Sequence, residues 1–139
     1  MTASDYVDLR IQEMTIHDWD MRSAFDPGCR LDAESVERLL EIAPMWLGMT
    51  FRPGPAIPEA KVFRFELDGH PTRNHDVSGT GSQCHVGPAS TGQADALLRC
   101  DADSYLLYIY GRIDSSSSRL RVAAEPALMA QFEAWFKGL

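Results

Sequence analysis

The sequence predicts an α+β domain, a small and mostly antiparallel sheet packed with helices and preceded by one long helix. Three observations carry that expectation. Residues 5–24 run without a proline or glycine, as a long helix requires. Residues 61–67, KVFRFEL, alternate apolar and polar side chains with the period of a half-buried strand. Further strand-like and helix-like segments follow to the end of the chain, separated by turn residues, and no internal repeat is visible.

Taken in order, Ser4 is the expected N-cap of a helix from about Asp5 to Ala24, ended by Asp26-Pro27-Gly28. Asp32 caps a second helix in which Val36, Leu39, Leu40 and Ala43 recur at helical spacing, with Pro44 closing or kinking it. Met45–Phe51 is apolar and fits either helix or strand. Arg52–Ala60, with Pro53, Pro55 and Pro58, reads as an extended connector. The strand that follows puts Phe63, Phe65 and Leu67 on one face and Val62, Arg64 and Glu66 on the other. Asp68-Gly69 then signals a hairpin. Ser78–Gln83 is a turn and Cys84–Val86 a short strand. Ala94–Cys100 is a further strand, and Asp101 or Asp103 caps a helix through Tyr105, Leu106, Ile109 and Tyr110. Ser115–Ser118 form a loop, Leu120 and Val122 suit a short strand, and Glu125-Pro126 opens a last helix bearing Leu128, Phe132, Trp135 and Phe136.

Composition narrows the function classes. With 139 residues, 45% of them hydrophobic, the chain can bury a core of its own as one globular unit. A net charge of −7 and the absence of a basic cluster argue against a nucleic-acid partner. No apolar run is long enough to span a bilayer, and the polar, acidic MTASDYVD start is unlike a signal peptide. Cys29, Cys84 and Cys100 are odd in number and lack CxxC spacing, so reduced thiols and a cytoplasmic location are expected. Cys29, in a turn beside Arg30, reads as a free surface thiol. SGTGSQC lacks the Lys-Ser/Thr and the following helix of a phosphate loop.

The first helix carries the chemistry. At about 100° per residue, Val7, Ile11, Met14 and Met21 form one apolar stripe, with Leu9 and Ile16 nearly opposite. Arg10, Glu13, His17 and Asp20 form a polar stripe between them, suited to lining a cleft between two packed bodies. Glu13 and His17 stand one turn apart, so a carboxylate and an imidazole point the same way, as two ligands to one divalent ion would. The alternative is a set of solvated ion pairs at i,i+3 and i,i+4 spacing.

The segment Leu9–Ala24, LRIQEMTIHDWDMRSA, resembles the junction of the mycothiol-dependent maleylpyruvate isomerase family. Its Arg, Glu-x-x-x-His, Trp and Asp are matched by Arg10, Glu13, His17, Trp19 and Asp20. QADALLRCDADSYLLYIYGRID and SRLRVAAEPALMAQFEAWF are similar to later parts of the family's C-terminal domain, and the likeness is weaker over residues 49–92. The resemblance implies residues 1–24 as the last helix of a DinB-like metal-binding bundle and residues 25–139 as a sterol-carrier-protein-like domain. It implies Glu13 and His17 as zinc ligands, with mycothiol as the thiol cofactor. Arg112 is implied as a catalytic arginine that holds a carboxylate or steadies an enolate, a task suited to a bidentate guanidinium. The alternative for Arg112 is a helix-end cation on terminal carbonyls.

The family's remaining ligand histidine lies in bundle helices that have no counterpart before residue 5, and His70, His75 and His85 read as edge or loop histidines. Neither zinc nor mycothiol is therefore expected to bind the isolated chain. The expected function is binding of a hydrophobic small molecule, or a partner-dependent role through the first helix, with a second copy or a separate helical bundle. Phe63, Phe65, Tyr105, Tyr108, Ile109 and Trp135, with Arg10 and Asp20, are the candidate ligand-binding residues; the alternative is that the apolar ones are simply core. Two enzyme readings stand beside this. One is a zinc- and mycothiol-dependent isomerase or transferase completed by a partner, the other a metal-free isomerase or cyclase.

Overall fold

The computed structural model describes residues 2–138. Four helices and five strands follow one another as α1 (Ala3–Ser23), α2 (Ala33–Thr50), β1 (Lys61–Leu67), β2 (His75–Gly79), β3 (Cys84–Pro88), β4 (Ala96–Cys100), α3 (Ala102–Ile109), β5 (Arg121–Ala123) and α4 (Pro126–Trp135). One mixed sheet has the order β3-β2-β1-β4-β5. Its pairings are antiparallel except that between β1 and β4, which is parallel. The α+β architecture with a long first helix is the one the sequence predicts.

The helix starts differ from expectation at one cap. Thr2, not Ser4, caps α1: its hydroxyl accepts from the Asp5 amide while the Asp5 carboxylate accepts from the Thr2 amide, a reciprocal capping box. Asp32 caps α2 through the Ser35 amide, as read, and of the two candidates for α3 it is Asp101 that caps, through the Ser104 amide, while Asp103 accepts from the Leu31 amide. Pro44 does not end α2. The helix runs on to Thr50, because Ile42, Ala43, Trp46 and Leu47 continue the buried stripe across the proline, and that burial outweighs one lost backbone bond. The β1–β2 connection is not a two-residue hairpin. It spans residues 68–74, with a 3-10 turn at Pro71–Arg73 and Gly69 at φ +76°.

The alternation of β1 places Phe63, Phe65 and Leu67 on its buried face. They meet an aromatic cluster: Phe63 lies 4.8 Å from Phe132 and 5.9 Å from Trp135, and Phe65 lies 5.4 Å from Tyr105, between ring centroids. Helix α3 is buried along its whole length, which accounts for its nearly unbroken apolar sequence after Ser104.

Helix α1 packs on α2 with an unexpected face. Asp8, Gln12, Thr15 and Ile16 are buried, whereas Val7, Met14 and Met21 are exposed. The inversion follows from Arg38 of α2, whose Nε and Nη2 each donate to Asp8 at 2.7 Å and so make burial of a carboxylate tolerable. Cys29 is buried rather than on the surface, and its carbonyl accepts from the Trp19 indole. No helix among the described residues is long and apolar enough to cross a membrane.

Candidate functional site

Helix α3 ends at Ile109, and the chain turns through Gly111 at φ +75°, where a Cβ would sit 3.0 Å from the Lys137 carbonyl. Only glycine takes that turn without strain, and it delivers Arg112 to the C-terminal half of α1. There one edge of the guanidinium clasps both Asp20 oxygens, Nε donating to Oδ1 at 2.9 Å and Nη2 to Oδ2 at 2.7 Å, while Nη1 donates to the Tyr110 carbonyl at 2.9 Å. The paired guanidinium holds the Asp20 carboxyl below its ordinary value, and Asp20 in turn raises that of Arg112. His17 adds a contact from Nδ1 to Asp20 at 3.2 Å. Three of the residues singled out from sequence thus form one chain, His17–Asp20–Arg112.

Arg112 also stands at the rim of a pocket of about 310 Å³ between the α3 end, the loop after it and α4. Its apolar surface comes from Tyr108, Ile109, Ile113, Phe132 and Phe136, and its polar rim from Arg112, Asp114, Glu133 and Lys137. Glu133 braces the wall by accepting from the Tyr108 hydroxyl at 3.3 Å and from the Ser115 amide at 2.8 Å. Burial, with the Glu133 carboxylate beside it, raises the Tyr108 phenol well above its ordinary value, so Tyr108 stays a neutral donor. An apolar hollow with a few convergent polar groups has the character of a small-molecule site.

The other candidates are distributed otherwise. Phe63, Phe65, Tyr105 and Trp135 lie in the packed interior, while Tyr108 and Ile109 reach the pocket. Arg10 and Glu13 pair with each other at 2.7 Å on the exposed face of α1, beside His17, Met14 and Met21. Glu13 and His17 do not make a zinc site by themselves. Each is engaged by a neighbouring charged side chain, and no group of three His, Cys, Asp or Glu placed to hold a metal occurs among the described residues.

Sequence reasoning did not find Glu133, Phe136 or Lys137 as site residues. The first two fall in or at the end of the helix read as core, and nothing in a single helix pattern says which turn faces a gap. It also missed a buried polar pair, His75 with Tyr105. The His75 Nδ1–H donates to the Arg73 carbonyl at 2.9 Å, so Nε2 accepts from the Tyr105 hydroxyl at 3.0 Å. The strand-period signal was present, since His75 falls on the same face as Val77.

No protein-family model matches the chain, and no curated protein matches it. Among solved structures it is similar to one described as "UbiJ-SCP2 Ubiquinone synthesis protein", at 19% identity and a TM-score of 0.52, over 71% of this chain and 93% of that one. The fold is therefore sterol-carrier-protein-like.

Proposed function

We propose that this protein binds a small amphipathic molecule, an apolar body with a carboxylate end, in the pocket between α3 and α4. The observation that carries the reading is the pocket's combination of apolar Ile109, Ile113, Phe132 and Phe136 with a rim of Arg112, Lys137, Asp114 and Glu133, whose two carboxylates already accept from Ser116 and from Tyr108 and Ser115, leaving the two cations to meet a ligand carboxylate. The sterol-carrier-like fold supports hydrophobic-ligand binding. The Asp20 clasp has a positioning role, because it fixes the guanidinium plane at the rim. Titration with a medium-chain carboxylate such as nonanoate tests the proposal. Saturable binding is expected, lost in Ile113→Trp, which fills the hollow, and weakened several-fold in Lys137→Glu. Absence of saturable binding, or binding indifferent to both substitutions, overturns it.

A second reading retains the relation to the mycothiol-dependent maleylpyruvate isomerases. It is favoured by one observation: Glu13 and His17 share the exposed face of α1 with Val7, Met14 and Met21, so a helical bundle or a second copy seated there would cover apolar surface and reach both donors at once. In that arrangement the partner supplies the third zinc ligand, zinc and mycothiol provide the thiol chemistry, and Arg112 binds the substrate carboxylate. Zinc content of the purified protein, alone and after mixing with a candidate bundle chain, tests it. Stoichiometric zinc only in the mixture, lost in His17→Ala, is the expected result; zinc binding that ignores His17 sinks the reading.

A further inference from the structure

We propose that the outward face of α1 is an interface with a second copy of this chain, paired antiparallel to it about a two-fold axis at Met14. With Asp8, Gln12, Thr15 and Ile16 buried, the opposite side of the helix exposes Val7, Met14 and Met21, the two methionines each to 66%. Seven-residue spacing drifts by only about 20° per step, so these three side chains form one straight apolar line. The pairing uses no metal and neither wall of the α3–α4 pocket, so it stands apart from both readings above.

The order of side chains about Met14 identifies the occupant. Val7 and Met21 stand seven residues to either side of it, and Arg10 and Asp18 four residues to either side. Reversing the helix therefore exchanges the members of each pair. In an antiparallel pair centred on Met14, Val7 meets Met21 of the second copy and Arg10 lies level with Asp18 of the second copy, at both ends of the seam. A parallel pair sets Arg10 against Arg10 and Asp18 against Asp18, and is disfavoured. The chain carries a net charge of −7, yet this face is balanced, since Arg10 pairs with Glu13 and Arg22 with Asp18, each at 2.7 Å. Two copies thus meet here without net repulsion, and all four side chains are exposed enough to take a partner from the second copy as well. Helix α1 has 21 residues and a length of about 31 Å. One face of such a helix buries less than the roughly 800 Å² per partner of a standard interface, so the dimer is a weak one.

Sedimentation velocity of the full chain in EDTA, over roughly 1–300 µM, tests the proposal. A monomer–dimer equilibrium with a Kd on the order of 10–100 µM is expected. Met14→Glu brings two carboxylates together at the two-fold axis and is expected to leave the chain monomeric throughout. Its urea unfolding curve should stay unchanged, because position 14 is exposed. Arg10→Asp or Asp18→Arg alone is expected to weaken the dimer at least about fivefold, and the two together to recover most of that loss. A chain that stays monomeric over the whole range, a dimer indifferent to Met14→Glu, or a double charge swap no stronger than either single one overturns the proposal. A dimer that forms only when zinc replaces EDTA also overturns it, in favour of the zinc reading.

Discussion

Arg112 grips Asp20 with two parallel hydrogen bonds across 92 residues of sequence, and this pair joins the C-terminal half of α1 to the turn that follows α3. Helix α1 is therefore held at two points, by Asp20 to Arg112 near one end and by Asp8 to Arg38 near the other. Between them Ile16 is buried in the shared core. The polar stripe at Arg10, Glu13 and His17 faces outward as a consequence of these anchors.

The Arg112–Asp20 pair should be worth more than a surface ion pair and less than a fully buried one. The Arg112 side chain is 15% exposed and that of Asp20 34%, so solvent screens one side. Asp20→Ala is expected to lower the unfolding free energy by about 1–3 kcal/mol, because it leaves a half-buried guanidinium with one carboxylate partner fewer. A double-mutant cycle with Arg112→Met, followed by urea unfolding, isolates the coupling. Since Asp20 titrates below 3.8 in the folded chain, the contribution is complete above that pH and is lost as pH falls through the lowered value. A cycle showing no coupling at neutral pH would contradict this account.

The aromatic interior should respond as a packed core. Phe63 is fully buried and lies against Phe132 and Trp135, so Phe63→Ala deletes contacts on both sides at once. A loss of about 3–5 kcal/mol in chemical denaturation is expected. A loss under 1 kcal/mol would mean that space already exists around the ring.

Local periodicity made β1 legible, whereas β2, whose Ser78 and Gly79 read as part of a turn, and the packing faces of the helices were decided by tertiary partners. The alternation from Lys61 to Leu67 names the buried face of β1 without help, and Asp32 announces its helix through the geometry of a carboxylate at an amide, while the choice between Asp101 and Asp103 for α3 was made by the fold. Helix α1 was misread in its faces, since nothing within residues 3–23 reveals that Arg38 waits to receive Asp8. The pairing of His17 with Asp20 follows from i,i+3 helical spacing, whereas the approach of Arg112 to them was readable only through a resemblance, for no spacing rule connects positions 92 residues apart. The hollow lined by Ile113 and Lys137 depends on how neighbouring elements fail to fill space, which a helical or strand period does not encode.

Pro44 sits inside α2 with its side chain at the surface, so its replacement leaves the core untouched. Pro44→Ala restores a backbone donor to the helix and removes a steric conflict with the preceding turn. Part of that gain is offset because the unfolded chain becomes more flexible. A net stabilisation of about 1–2 kcal/mol is expected from thermal or urea unfolding. A destabilised variant would show that a local distortion at Pro44 is required for the fit of α2 against α1.

Acid should weaken the fold through His75. Burial holds its imidazole below the ordinary value of 6.5, and both ring nitrogens are committed, one donating to the Arg73 carbonyl and one accepting from Tyr105. Protonation would turn the accepting nitrogen into a donor facing a hydroxyl, and it would place a charge in the stack with Phe65, 5.1 Å away. The nearby Asp76 carboxylate offsets little of this, because Arg64 clasps it at 2.8 and 2.9 Å. A depressed folded-state value means that the unfolded chain takes up the proton first. The contribution of His75 is therefore complete above pH 6.5 and declines as pH falls from there through the folded-state value, by up to about 1.4 kcal/mol per pH unit. Unfolding free energies at pH 7.5 and 5.5 should differ more in the native protein than in His75→Gln, where the titrating group is gone. Tyr105→Phe should cost about 1–3 kcal/mol at pH 7.5 by leaving Nε2 unpaired. Identical pH slopes in the native and His75→Gln proteins would assign the acid sensitivity to other groups.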